Sequence, residues 1–138
     1  MEYTPENITS LGKNEIFTFG ANENGTHGLG AAKLAHEKFG ARWGQGFGLS
    51  GKTFALPTKS WRIETLPLPI IKFYIDRYLV FAALHPAWKF WTTKVGCGLG
   101  GLTPEQIAPL FLHNRCLFPA NVILPKEFYD AYYLTIPE

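Results

Sequence analysis

The sequence predicts an α/β domain: a mostly parallel sheet with helices on both faces. Three observations lead there. Short β-branched and aromatic runs alternate along the chain with longer segments of helical spacing. Two strand-to-helix junctions are dense in glycine. Apolar residues make up 46% of the chain and aromatic residues 15%, enough to fill a core between layers. A length of 138 residues, with no internal repeat or linker-like stretch, fits one domain over 1–138.

The elements follow in order. Ile16-Phe17-Thr18-Phe19 reads as a strand that ends at Gly20, followed by a loop over 21–28. Residues 29–39 read as a helix, with Ala32, Leu34 or Ala35, and Phe39 near helical spacing and Gly40 just past the end. Residues 42–51 read as a loop carrying Gly44, Gly46, Gly48 and Gly51. Thr53-Phe54-Ala55-Leu56 is a second strand, stopped by Pro57. Over 69–84, Ile71, Ile75, Tyr78, Leu79 and Ala82 share one helical face. Residues 88–95 form a third strand and 96–101 a second glycine loop. Thr103 caps a helix with Pro104 at its first position and Glu105 and Gln106 in its first turn. A fourth strand over 121–124 and a last helix or turn over 126–133 complete the chain.

A parallel sheet binds ligands outside the carboxyl ends of its strands. Both main glycine loops leave such an end and enter a helix, so they are expected on one edge of the sheet. The first contains Gly20, Ala21, Asn22, His27, Gly28 and Gly30. Its glycines let the backbone come close to a phosphate, and the following helix start favours an anion. The Asn22 amide can donate to and accept from a sugar hydroxyl. The Asn-Glu-Asn-Gly stretch is equally a plain turn former. The second loop contains Gly96, Cys97, Gly98, Leu99, Gly100 and Gly101. Backbone N–H groups at that glycine density form a nest for a diphosphate; the alternative is a tight crossover without a ligand. Cys97 stands near a helix start, where a thiolate is favoured, but with no adjacent histidine it reads as a packing residue. Lys59, just after the second strand, is expected at the same edge, meeting a phosphate or ribose oxygen or simply solvated.

Gly96, Gly98 and Gly101 formally match a dinucleotide fingerprint, but residues 118–122 lack the acid such a site needs about twenty positions on. No Gly-Lys-Ser/Thr ends the first loop, so it is not a Walker A loop. A net charge of +2 with scattered basic residues argues against a nucleic-acid groove. The four histidines, His27, His36, His85 and His113, lie too far apart in sequence for zinc spacing, and no metal or cofactor is expected. No apolar run reaches bilayer length, and residues 1–7 carry two acids and no basic residue. The expectation is a cytoplasmic protein without a membrane partner, with Cys97 and Cys116 as reduced thiols.

At these residues the chain resembles the macro-domain superfamily, specifically a small bacterial and phage branch of macro-domain-like proteins. The resemblance spans about 16–111. It is carried by Phe19-Gly20-Ala21-Asn22 through Gly30-Ala31-Ala32, by Gly44-Gln45-Gly46, by Ala55-Leu56-Pro57-Thr58-Lys59 and by Lys94-Val95-Gly96-Cys97-Gly98 through Gly101. It implies a three-layer α/β/α fold with a mostly parallel mixed sheet that binds ADP-ribose or a relative. It further implies that the later loop wraps the diphosphate, that the Asn22 loop meets the distal ribose, and that Glu15 stands where an acid contacts adenine. Gly100 stands where the family has Tyr or Phe, and one Asn stands for the common Asn-Ala-Ala-Asn run.

Three function classes follow. As an ADP-ribosyl hydrolase or ADP-ribose phosphatase, the protein would use Asn22 or His27 to orient water or the ribose. As a sensing or sequestering module, it would need the same loops and no catalyst. As an interaction protein, it would use Trp43, Trp61, Trp88, Trp91, Phe128, Tyr129, Tyr132 and Tyr133 as an aromatic interface.

Overall fold

The computed structural model describes residues 1–113 and 118–135; Cys116 lies outside them. The elements are β1 (Glu15–Asn22), α1 (Gly30–Lys38), β2 (Gly48–Ser50), β3 (Thr53–Lys59), α2 (Leu68–Ala83), β4 (Lys89–Thr92), α3 (Pro104–Leu112), β5 (Val122–Ile123) and α4 (Lys126–Thr135). The strands form one sheet in the order β2-β3-β1-β4-β5. All pairs are parallel except β2 with β3, which gives a mostly parallel mixed sheet between helical layers.

Alternation along β1 sorts the core into two sides. Phe17, Phe19 and Ala21 join Ala55 and meet Ala35 of α1 and Phe39 just past its end, with Ile8 and Leu11 of the N-terminal segment alongside. Ile16 joins Phe54, Leu56 and Phe90 on the other side, where α2, α3 and α4 pack. There α2 buries Ile71, Ile75, Tyr78, Leu79 and Ala82, the face its spacing predicts. Each large aliphatic among them contributes about 2 kcal/mol. The Tyr78 hydroxyl reaches through this core to the Thr18 and Thr92 hydroxyls at 2.9 and 2.8 Å, so no buried oxygen of the trio is left dry.

Connection handedness explains why α1 stands opposite α2 and α3. A crossover between parallel strands is right-handed in nearly all folds. The chain moves one way from β1 through α1 to β3, then the other way from β3 through α2 to β4, and onward through α3 to β5. Reversing direction sends the crossover helix to the opposite face. The loops that leave β1 and β4, two neighbouring strands, therefore run to opposite sides of the sheet and open a crevice between them.

The strands differ from expectation in extent: β4 covers Lys89–Thr92 rather than 88–95, because its pairing with β1 ends at Thr92, and β5 covers Val122–Ile123 rather than 121–124. β1 runs past Gly20 to Asn22, because β3 pairs with it along that whole stretch. β3 continues through Pro57 to Lys59, because β2 pairs with it only as far as Ala55 and Pro57 withdraws no donor from that neighbour. β2 was expected as loop; Gly48-Leu49-Ser50 has little strand preference of its own and is held by pairing with 53–55.

Candidate functional site

The crevice is a cleft of about 960 Å³ at the carboxyl edge of the sheet. Of the residues expected to bind, Gly20, Ala21, Asn22, Gly28, Gly30, Lys59, Gly96, Cys97, Leu99 and Gly100 line it. His27, Gly98 and Gly101 do not. The two glycine loops therefore open onto one space. They also touch: Leu99 Cδ1 stands 3.4 Å from where a Cβ on Gly30 would lie. A Cβ on Gly20 would sit 3.3 Å from the Gly96 backbone nitrogen, so the absent side chain lets the second loop close against β1.

The first loop is locked by its own side chains. Asn22 gives Nδ2 to the Thr26 carbonyl at 3.1 Å and to Thr26 Oγ1 at 2.8 Å, and its Oδ1 accepts from the Thr26 N–H at 2.9 Å. The amide borders the cleft with its hydrogens already engaged. Glu23 accepts a 2.6 Å hydrogen bond from the Tyr74 hydroxyl, whose pKa is pushed up to about 12 by burial and by this carboxylate. A Cβ on Gly46 would run into the backbone of Asn22 and Glu23, so the 44–47 stretch buttresses the loop from outside the cleft.

His27 is 1% exposed and packs edge-on against Phe19 and Trp43. Its Nε2 lies 2.9 Å from the Arg42 carbonyl, which can only accept, so Nε2 carries the proton. Nδ1 is buried with no hydrogen-bond partner among the described residues. Burial is the main cause that lowers the His27 pKa, with His36 adding repulsion. His36 engages the preceding carbonyl, Ala41, at 2.8 Å. The two imidazoles thus suspend the segment that presents Trp43, half-exposed, to the cleft.

The anion-binding features are backbone and lysine. α1 begins after Leu29, which supplies no side-chain cap, and Gly30, Ala31 and Ala32 in its first turn line the cleft. The first turn of a helix has N–H groups with no intrahelical acceptor. At α3, by contrast, Gln106 Oε1 accepts from the Thr103 N–H at 3.0 Å, and the start is closed as its sequence predicts. Lys38, Lys59 and Lys94 line the cleft and have no carboxylate partner among the described residues. Lys126 also lines it but pairs with Asp130 at 2.9 Å. The acids on its walls are Glu6 and Glu127.

Cys97 faces the cleft half-buried, and burial pushes its thiol up to about 11. Desolvation outweighs the opposing attraction of Lys94, and Cys97 packs against the core as the packing residue read from the sequence. Glu15 is also placed elsewhere. It begins β1, at the amino edge of the sheet, and its carboxylate accepts from the Gly12 N–H at 2.7 Å, so it stands outside this cleft. Of the C-terminal aromatics, Phe128 and Tyr132 are buried, Tyr129 is half-buried and Tyr133 is exposed.

Thr58 is a cleft residue that the sequence reading missed. The register of β1 with β3 slips between Ala21 and Asn22, leaving Thr58 without a partner across the strands. It lines the cleft under the second loop, its hydroxyl 3.7 Å from a Cβ on Gly20 and 3.9 Å from one on Gly100. The N-terminal segment was missed as well. Thr4 bonds to Leu124 and Ile123, and residues 4–9 form a wall of the cleft.

No group of three or more metal-binding side chains occurs among the described residues, and no described helix is long and apolar enough to cross a membrane. Comparison with family models, with curated proteins and with solved structures gave no match to this chain.

Proposed function

We propose that this cleft binds a nucleotide diphosphate of the ADP-ribose kind, and that the protein is a binding module for it. One observation carries the reading: two glycine turns from neighbouring strands, one of them leading into an uncapped helix start, open onto a single cleft bordered by Lys59 and Lys94, which have no carboxylate partner among the described residues. Backbone N–H groups and lysine suit phosphate, and the cleft is large enough for a ligand of that size. Leu29, Trp43, Ile63 and Leu99 add exposed apolar surface on its walls, which suits the nucleoside ends. The macro-domain resemblance agrees with this ligand class.

Binding without turnover is favoured over hydrolysis. Asn22 and His27, the side chains expected to act on substrate, are committed to Thr26 and to the Arg42 carbonyl. Calorimetric titration with ADP-ribose, ADP and NAD tests the ligand class. ADP-ribose at a hundredfold excess over Kd is expected to stabilise the fold by about 2.7 kcal/mol, read as a rise in Tm. Incubation with an ADP-ribosylated substrate tests turnover, and release of product would replace the module by a hydrolase. The interaction reading has an observation of its own, the exposed Ile70, Phe73 and Val80 on α2 and Leu84 at its end. No heat with any nucleotide would favour it.

A further inference from the structure

Between β3 and α2 the chain makes a tight turn over 60–65. Ser60 N–H bonds to the Glu64 carbonyl at 2.7 Å, Ile63 N–H to the Ser60 carbonyl at 2.9 Å, and Lys59 and Thr65 close the base as an antiparallel bridge. Ser60 Oγ accepts from the N–H of Arg62 at 3.2 Å and of Glu64 at 3.4 Å. At the tip the Arg62 guanidinium lies 4.7 Å from the Trp61 ring centre. Thr65 Oγ1 donates to the Gly100 carbonyl at 3.1 Å, tying the turn to the second glycine loop.

Ile63 sits in this turn at φ 63°. Among the described residues nine glycines take positive φ, and only Asn14 and Ile63 do so with a side chain. Asn tolerates that region; a β-branched residue is strongly disfavoured there. Core packing does not explain the exception, because Ile63 is 48% exposed and belongs to neither buried cluster. The residue lines the cleft. Backbone strain of this kind persists where the surroundings fix it, often at ligand sites.

We infer that Ile63 is a ligand-contact residue that selects for the nucleoside part of the ligand, held against it by a backbone its own side chain disfavours. The inference rests on the nucleotide reading above. Isoleucine offers a phosphate nothing, whereas the apolar face of a ribose or base gains from its contact. The Thr65–Gly100 bond fixes this apolar wall beside the glycine turn.

The test compares wild type and Ile63→Gly with two probes, ADP-ribose and inorganic pyrophosphate, by calorimetric titration and thermal melting. In Ile63→Gly, ADP-ribose affinity is expected to fall about fivefold or more. Pyrophosphate affinity should stay within about twofold, because that probe has no nucleoside. Tm should hold or rise by about 3 °C as the strain is released. Ile63→Ala, which keeps a Cβ at positive φ, should lose ADP-ribose affinity without the rise. Unchanged ADP-ribose affinity in Ile63→Gly overturns the inference and leaves the nucleotide reading standing. Equal loss for both probes, or a lower Tm, also overturns it, because Ile63 then supports the turn. Wild type that binds neither probe overturns both.

Discussion

At the residue scale the cleft is shaped by side chains that do not face a ligand. His27 is the clearest case. The sequence offers it as a side chain to orient water or the ribose, and nothing there marks the Arg42 carbonyl, fifteen residues on, as its partner. Its lowered pKa has a stability consequence. An unfolded His27 takes up a proton as the pH falls through about 6.5, while the folded protein resists until its own lower pKa. Between the two, the unfolded state holds more protons, so stability is full above about 6.5 and declines as the pH drops below it. Tm is therefore expected to fall on acidification from about pH 7 to 5, and His27→Gln should lose part of that slope while remaining able to donate to Arg42. Melting curves at several pH values check it; equal slopes for both proteins would show that the buried imidazole does not govern the transition. Thr58 was illegible for a different reason. A register slip depends on how two distant strands meet, and no local pattern encodes it.

At the element scale, legibility tracks how local the cause is. The buried face of α2 and the start of α3 follow from spacing and capping within a few residues, and both stand as read. β2 and the run of β3 through Pro57 depend on pairing partners, and both were misread. The glycine loops lie between these cases: their density was visible, but which glycine serves close approach was not. Gly98, the natural choice for a blocking substitution, has open space around its Cβ position and does not line the cleft. Gly20 is the better target, since an added Cβ meets the Gly96 nitrogen at 3.3 Å and the Val95 Cα at 3.5 Å, backbone atoms that cannot swing aside. Gly20→Ala is expected to cost about 1–2 kcal/mol in urea unfolding and to weaken ADP-ribose binding by displacing the second loop. Gly28→Ala is the matched control, because nothing lies within 4 Å of its Cβ position and its φ is not positive. It should fold as well as wild type, within about 0.5 kcal/mol. Equal ADP-ribose affinity in Gly20→Ala and wild type would mean that contact between the loops is not what shapes the site.

At the scale of the whole molecule, strand order makes the site. β1 starts in the middle of the sheet, the chain moves outward through β3 and then returns across β1 to β4. That reversal brings two loops far apart in sequence to one crevice, a juxtaposition the strand–helix alternation already implied. Charge then distinguishes this crevice from a simple gap. Lys59 ends β3, Lys94 follows β4 and Lys38 ends α1; all three border the cleft without a carboxylate partner among the described residues, and Glu6 and Glu127 also stand on its walls. Exposed charges of this kind attract an anion over roughly 10 Å at about 0.1 M salt, and the attraction shrinks as salt rises. ADP-ribose affinity is therefore expected to fall about five- to tenfold between about 0.05 and 0.5 M sodium chloride. Lys59→Gln and Lys94→Gln should each flatten that dependence, with little change in Tm because neither lysine is paired in the fold. A Kd that does not move with salt would place the phosphates away from the lysines, and the ligand would then be held by the helix start and the apolar walls alone.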